Sequence, residues 1–148
     1  MRLRLATGAI GLAVVLGILA ALLVYALGEG IRAANEAERR RSELVSIASS
    51  LPMPSGSLVV KETSEAKGGL ALSKRVIRPP VMPIFAQLRE YYTGVLTARG
   101  WLYKTEVVTN GFTIACFARD EYRAEIELAD GSPTEYVLNL SWGYATCS

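Results

Sequence analysis

The sequence predicts an α+β protein with one N-terminal transmembrane helix and a two-layer domain. In that domain an antiparallel sheet of about six strands packs on a single helix, in the order ββαββββ. Three observations support this fold: an uncharged apolar run near the N-terminus, one segment with helical spacing of apolar residues, and several segments in which apolar and polar residues alternate.

The apolar run extends from Leu5 to Leu27 without a charged residue. About 23 residues at ~1.5 Å each span a hydrocarbon core of ~30 Å. A cleaved signal peptide is the alternative, with Ala26-Leu27-Gly28 as a weak cleavage site, but its apolar region usually has only about 7 to 15 residues. We therefore expect residues 1–28 to be a retained signal anchor that places the chain in the cell membrane as a single-pass protein.

The orientation of this anchor depends on the flanking basic residues. Arg2 and Arg4 precede the helix, whereas Arg32 and the run Arg39 to Arg41 follow it, so that counting alone mildly favours an outside N-terminus. The arginine run, however, lies more than ten residues beyond the apolar segment among several glutamates. We therefore expect the N-terminus inside and the domain extracytoplasmic.

Small residues recur every fourth position along the anchor, at Ala9, Ala13, Gly17 and Ala21. This spacing places them on one stripe of the helix, where small side chains allow a second helix to approach closely. The alternative is a chance ladder, because Ala and Gly are frequent in such helices. The stripe is our candidate helix-packing face for an integral membrane protein partner.

The segment after the anchor is predicted to be helical and then to break. Residues 29–50 are rich in Ala, Glu and Arg and contain no proline, which favours a helical stalk that sets the domain off the membrane. Pro52, Pro54 and Gly56 then end any helix. We expect residues 29–56 to be stalk and linker and residues 57–148 to be one small α+β domain.

Within the domain, one helix and six strands are predicted. Phe85, Leu88, Tyr92 and Leu96 follow at helical spacing after a proline-rich approach, and Gly100 is typical of a helix end. Asn110-Gly111 and Asp130-Gly131 indicate hairpin turns. The predicted strands are 58–63, 70–77, 101–108, 112–119, 122–129 and 135–142, with one buried and one solvent-exposed face.

Composition argues against several classes of function. The chain has no histidine, so that Ser-His-Asp and Cys-His nucleophilic sites, zinc sites with histidine and histidine-ligated haem are impossible within it. The formal net charge is +2 with basic and acidic residues mixed, which argues against nucleic-acid binding. No phosphate-binding glycine motif occurs. We expect no cofactor and no enzymatic activity.

The acidic residues also have simple structural interpretations. Asp120, Glu121 and Asp130 are expected in hairpin turns, and Glu125 and Glu127 on the solvent face of a strand. Two cysteines, Cys116 and Cys147, are too far apart for a C-x-x-C redox pair and too few for structural zinc. They form either a disulfide, which suits an oxidising compartment, or two free thiols.

Aromatic residues near the predicted helix end offer a possible ligand groove. Tyr92, Trp101 and Trp142 are its candidate lining, and the alternative is that they belong to the hydrophobic core. The P-x-x-P pattern in residues 79–83 is a possible polyproline ligand, although it also suits the start of a helix.

The leading functional hypothesis is therefore a non-catalytic accessory or assembly subunit of a membrane protein complex. In this hypothesis the anchor docks on a membrane-protein partner and the domain braces that partner on the outer side. The alternative hypothesis is a membrane-tethered binding module for a peptide, lipid or glycan. The lipid bilayer is an expected partner in both.

Overall fold

The computed structural model describes residues 3–131 and 133–143, with side-chain environments from Val15 onward. Its elements are α1 (Leu3–Ser50), β1 (Leu58–Lys67), β2 (Leu70–Arg78), α2 (Phe85–Thr97), β3 (Leu102–Thr109), β4 (Phe112–Arg119), β5 (Tyr122–Ala129) and β6 (Tyr136–Trp142). The α+β class and the order ββαββββ after the first helix are confirmed. From Val15 onward α1 is long and apolar enough to cross a membrane by length and composition, and none of its apolar window is buried.

The six strands form one open antiparallel sheet in the order β1-β2-β6-β5-β4-β3. Strands β3 to β6 form a meander, and β6 then pairs with β2, as in the contact of Leu138 with Arg75. The connection through α2 therefore carries the chain from β2 to the far edge of the sheet. Strands β1 and β3 are the two edge strands.

Turn chemistry sets the hairpins where the sequence predicts them. Asn110 and Gly111, between β3 and β4, both have positive φ, at 48° and 77°. Two-residue hairpin turns of this kind match the twist of the flanking strands and favour Asn-Gly. This turn fixes the β3–β4 register in which Thr109 faces Phe112.

Helix α2 begins and ends on local signals. At its start, the Ile84 N–H donates to Gln87 Oε1 at 3.3 Å. At its end, the N–H groups of Gly100 and Trp101 donate to the carbonyls of Thr97 and Leu96, at 3.0 and 3.1 Å. This Schellman arrangement needs a left-handed residue, which Gly100 supplies at φ 79°. The buried face of α2 consists of Leu88, Tyr92 and Leu96.

The second half of α1 is part of the domain core, which differs from the expected stalk. Ala37, Leu44, Ala48 and Leu51 are all buried, and Leu44 is 0% exposed. The spacing of seven and four residues places Ala37, Leu44 and Ala48 on one side of α1, and Leu51 follows directly after the helix ends at Ser50. The core therefore begins before residue 57, and two helices rather than a single one cover the sheet, with α1 over β1, β2 and β6 and α2 over β3, β4 and β5.

Arginine side chains connect α1 to the sheet beneath it. Arg75 of β2 donates to the Ala48 carbonyl at 2.5 Å and to Glu62 of β1 at 3.0 Å. Arg41 of α1 donates to Ser64 of β1 at 2.9 Å. Ser64 pairs with Ser73 of β2, so that α1 lies near Ser73 at Arg41 and near Arg75 at Ala48. Helix α1 therefore runs in the same sense as β2.

Candidate functional site

The small-residue stripe of α1 faces away from the sheet. Gly17 and Leu44, like Ala21 and Ala48, are separated by 27 positions in the sequence, which is about 7.5 turns at 3.6 residues per turn. Because α1 is one unbroken helix, each pair lies on opposite sides of it. Leu44 and Ala48 are buried against the sheet, so that Gly17 and Ala21 point outward.

The same side of α1 carries small residues beyond the apolar half. We define the outer face of α1 by its small members, which are Gly17, Ala21, Gly28, Ser42, Ser46 and Ser49. Larger side chains, including Val24, Asn35 and Arg39, separate them. A Cβ added at Gly17 or Gly28 would meet no atom within 4 Å. Ala9 and Ala13 would extend this face, but their side chains lie outside the described part of the chain.

Arg40 forms the joint between α1 and the sheet. Its guanidinium donates to Glu36 Oε1 at 2.8 Å and to the Tyr122 hydroxyl at 2.6 Å, and it lies 5.4 Å from the Trp142 ring centroid. The Tyr122 hydroxyl in turn donates to Glu43. These contacts join α1 to the start of β5 and the end of β6.

The contacts at this joint favour the ionised forms of Arg40 and Glu43. The hydrogen bond from Tyr122 holds the pKa of Glu43 below its usual range, and Arg40 acts in the same direction, although burial opposes both. The pKa of Arg40 is raised, first by its hydrogen bond to Tyr122. Burial is the main cause of the raised pKa of Tyr122. Near neutral pH the joint therefore contains an arginine cation, a neutral phenol and carboxylates.

The predicted aromatic groove is not formed. Tyr92 and Trp101 are both 0% exposed, and Trp142 is half-buried against Arg40. Tyr92 instead shares a 2.8 Å hydrogen bond with the hydroxyl of Tyr136, whose pKa burial raises to about 12. The helical spacing of Tyr92 and the Schellman turn before Trp101 place both side chains in the core. They therefore belong to the hydrophobic core and do not line a ligand groove.

A groove that the sequence analysis missed lies between α2 and the edge strand β3. It has a volume of about 600 Å³ and is lined by Ala86, Arg89, Glu90, Thr93, Gly94 and Tyr103. Arg89 donates to Glu106 of β3 at 2.7 Å. The signal in the sequence was the row of small or polar residues on the outward side of α2, particularly Gly94 in mid-helix.

The acidic residues do not converge on a chemical site. Glu121 accepts from the Trp142 indole at 3.0 Å, whereas Asp130 lies at a different hairpin. Glu125 is only 8% exposed, so that the expectation of a solvent position was wrong for this residue. Glu127 is half-buried, and burial raises its pKa. Within residues 3–131 and 133–143 no three Cys, Asp or Glu side chains are grouped to hold a metal ion.

One of the two cysteines, Cys116, lies within the described residues. Cys116 is buried on β4 and is disulfide-bonded, which argues against a free thiol at this position. Cys147 lies outside the described residues. The pairing of the two cysteines therefore stays a prediction.

Comparison with known proteins adds no functional information. No family model, curated protein or solved structure matches this chain.

Proposed function

We propose that this chain is a single-pass membrane protein that acts as a non-catalytic accessory or assembly subunit of a membrane protein complex. The observation that carries the proposal is the continuity of α1. Its apolar first part is exposed throughout the described window, while its second part is built into the domain core. An exposed apolar helix of this length needs a bilayer or other apolar helices around it.

The direction of the outer face supports a protein partner in particular. Small residues on one side of a membrane helix permit close backbone approach, which stabilises helix pairs through van der Waals contact. This side is opposite the sheet, so that a partner helix packs along α1 without displacing the domain. Ser42, Ser46 and Ser49 extend the accessible surface above the membrane.

The joint at Arg40 supports the bracing role of the domain. From Leu27, where the apolar run ends, to Ala37, where burial begins, α1 rises ~15 Å. The Arg40 contacts fix the angle between this helix and the sheet. The domain is thereby held at a set height and direction beside the bound partner.

The first test is extraction of the tagged full chain from its native membrane in mild detergent, followed by size-exclusion chromatography and mass spectrometry. We expect a stoichiometric complex with an integral membrane protein. Replacing Gly17 with leucine adds bulk on the outer face and is expected to weaken that complex about tenfold, a cost of ~1.4 kcal/mol.

The matched control is Ala26→Leu, because Ala26 lies nine positions from Gly17, about 2.5 turns, on the opposite side of the helix. This variant adds similar bulk and should retain the complex. A lone monomer from wild-type membranes would contradict the proposed function. Equal loss in both variants would contradict the assignment of the outer face.

For localisation we propose that the N-terminus is inside and the domain extracytoplasmic. The basic residues at the N-terminus support this orientation, as does the disulfide bond at Cys116, because such bonds persist in oxidising compartments. Protease added to intact cells or spheroplasts should digest the domain while a cytoplasmic marker survives. Protection of the domain until the membrane is lysed would reverse the orientation.

A second candidate function is the membrane-tethered binding module. The groove between α2 and β3 favours it, in place of the buried residues Tyr92 and Trp101. A chain that elutes alone after extraction from native membranes would favour this second candidate over the accessory subunit.

A further inference from the structure

The edge strand β3 leaves one row of backbone groups without a strand partner. Within the described residues, β3 pairs with β4 alone. Its pairing is irregular between Tyr103 and Thr105 and regular from Thr105 to Thr109. The regular part presents amide and carbonyl groups to which an extended segment can add as a further strand.

The groove beside β3 provides space for side chains of such a segment. Gly94 lies in its wall, and a Cβ added there would meet nothing within 4 Å. Tyr103 and Val108 on β3 are 40% and 69% exposed. An added strand would thus find a backbone template and, between Gly94 and Tyr103, a recess for an apolar side chain.

The other edge strand, β1, lacks this combination. It carries four charged residues, Lys61, Glu62, Glu65 and Lys67, and charged side chains protect sheet edges from pairing. Strand β3 has two, Lys104 and Glu106. One carboxylate on each edge is neutralised, Glu106 by Arg89 at 2.7 Å and Glu62 by Arg75 at 3.0 Å, so that β1 still carries more charge than β3. The two edges therefore differ in their readiness to accept a strand.

The charged residues of the groove indicate which kind of side chain a bound segment carries there. Because Arg89 is paired with Glu106, the remaining charged side chain among the groove-lining residues is the exposed Glu90. The ion pairs of the described residues do not include Glu90. Its carboxylate complements a lysine or arginine on the incoming segment.

A second copy of this chain does not satisfy the geometry. Antiparallel pairing of β3 with its own copy requires a two-fold axis perpendicular to the sheet. Since α1 runs in the same sense as β2, this axis would point the two apolar halves in opposite directions. Two copies anchored in one membrane cannot pair in this way.

We propose that β3 and the groove beside α2 bind an extended segment of the membrane-protein partner by strand addition. The segment places an apolar side chain beside Gly94 and a basic side chain beside Glu90. This inference rests on the proposed function, because it identifies how the domain holds the partner that α1 recruits.

The test uses the full chain in its native membrane, with a photoreactive benzoylphenylalanine introduced at Val108. We expect it to crosslink to the same partner chain that co-purifies with wild type, within a segment that carries a basic residue. Replacing Gly94 with leucine fills the recess and should lower the crosslink yield at least tenfold. Glu90→Lys, which reverses the charge, should lower it as well.

Matched variants separate the groove from general effects. Ala98→Leu adds nearly as much bulk at an exposed position just after α2 and outside the groove, and Glu65→Lys reverses a charge on the other edge strand; both should retain the crosslink. A co-purifying complex whose Val108 crosslink is absent, or unaffected by Gly94→Leu, would overturn this inference and leave the proposed function standing. A chain that purifies alone would overturn both.

Discussion

Replacing Leu44 with alanine is expected to lower the free energy of unfolding of the domain by about 2–5 kcal/mol. Leu44 is 0% exposed and lies in the same buried cluster as Ile77 and Leu140. Removing its side chain loses apolar burial and leaves a cavity between α1 and the sheet. The expected cost is a large share of the stability of a small domain.

Chemical denaturation of the full chain in detergent, followed by near-ultraviolet circular dichroism, measures this loss. Ser46→Ala is the matched control, because Ser46 is exposed on the outer face of α1 two positions away and should change stability little. A fragment beginning at residue 57 should fail to fold, whereas one beginning at residue 29 should fold. Equal stability of the two fragments would mean that α1 is a separate stalk.

Replacing Arg40 with methionine should have the second largest effect, roughly 1–2 kcal/mol, because charge-assisted hydrogen bonds to Glu36, Glu43 and Tyr122 are lost together. The Arg40 side chain retains 20% exposure, and solvent screening keeps the loss at the low end. Methionine preserves much of the aliphatic volume. The change should also loosen the angle between α1 and the sheet, which distance measurements between spin labels on α1 and β5 would detect.

The same joint predicts a dependence on pH. Glu43 has a folded-state pKa below the ordinary value of 4.5, so that its ionised form favours folding. This stabilisation is fully present above about pH 4.5 and is lost as the pH falls through the lowered pKa. Arg40→Met should reduce the slope of stability against pH in this acidic range.

Arg39→Met is the control for both measurements. Arg39 is 59% exposed and pairs with Glu36 and Glu43 on the surface of the helix without reaching the sheet. Its loss should cost little stability, because solvent screens exposed ion pairs on a helix. Equal effects of the two substitutions would show that Arg40 is an ordinary surface arginine and not a joint.

Local sequence patterns determined the elements of this protein. Tyr122, Ala124, Ile126 and Leu128 alternate with charged residues along β5, and all four lie in the core. Gly100 ends α2 because a left-handed residue is required there. Such features depend on spacing and on backbone conformation, which neighbouring residues specify. The apolar character of α1 was evident for the same reason.

Long-range packing decided which surfaces meet. The pairing of β6 with β2 joins segments distant in the sequence, and no local pattern encodes it. Serines and charged residues surround Leu44 and Ala48 in the sequence, so that this part of α1 has the pattern of a solvated stalk. Only the position of the sheet shows that Leu44 and Ala48 are buried. The groove beside β3 exists because α2 and an edge strand leave space between them. The sequence by itself determined which residues are apolar enough to be buried and where helices and strands end. The tertiary structure decided which elements cover those residues and which surfaces stay exposed. Both depend on contacts between distant parts of the chain, which local patterns do not encode.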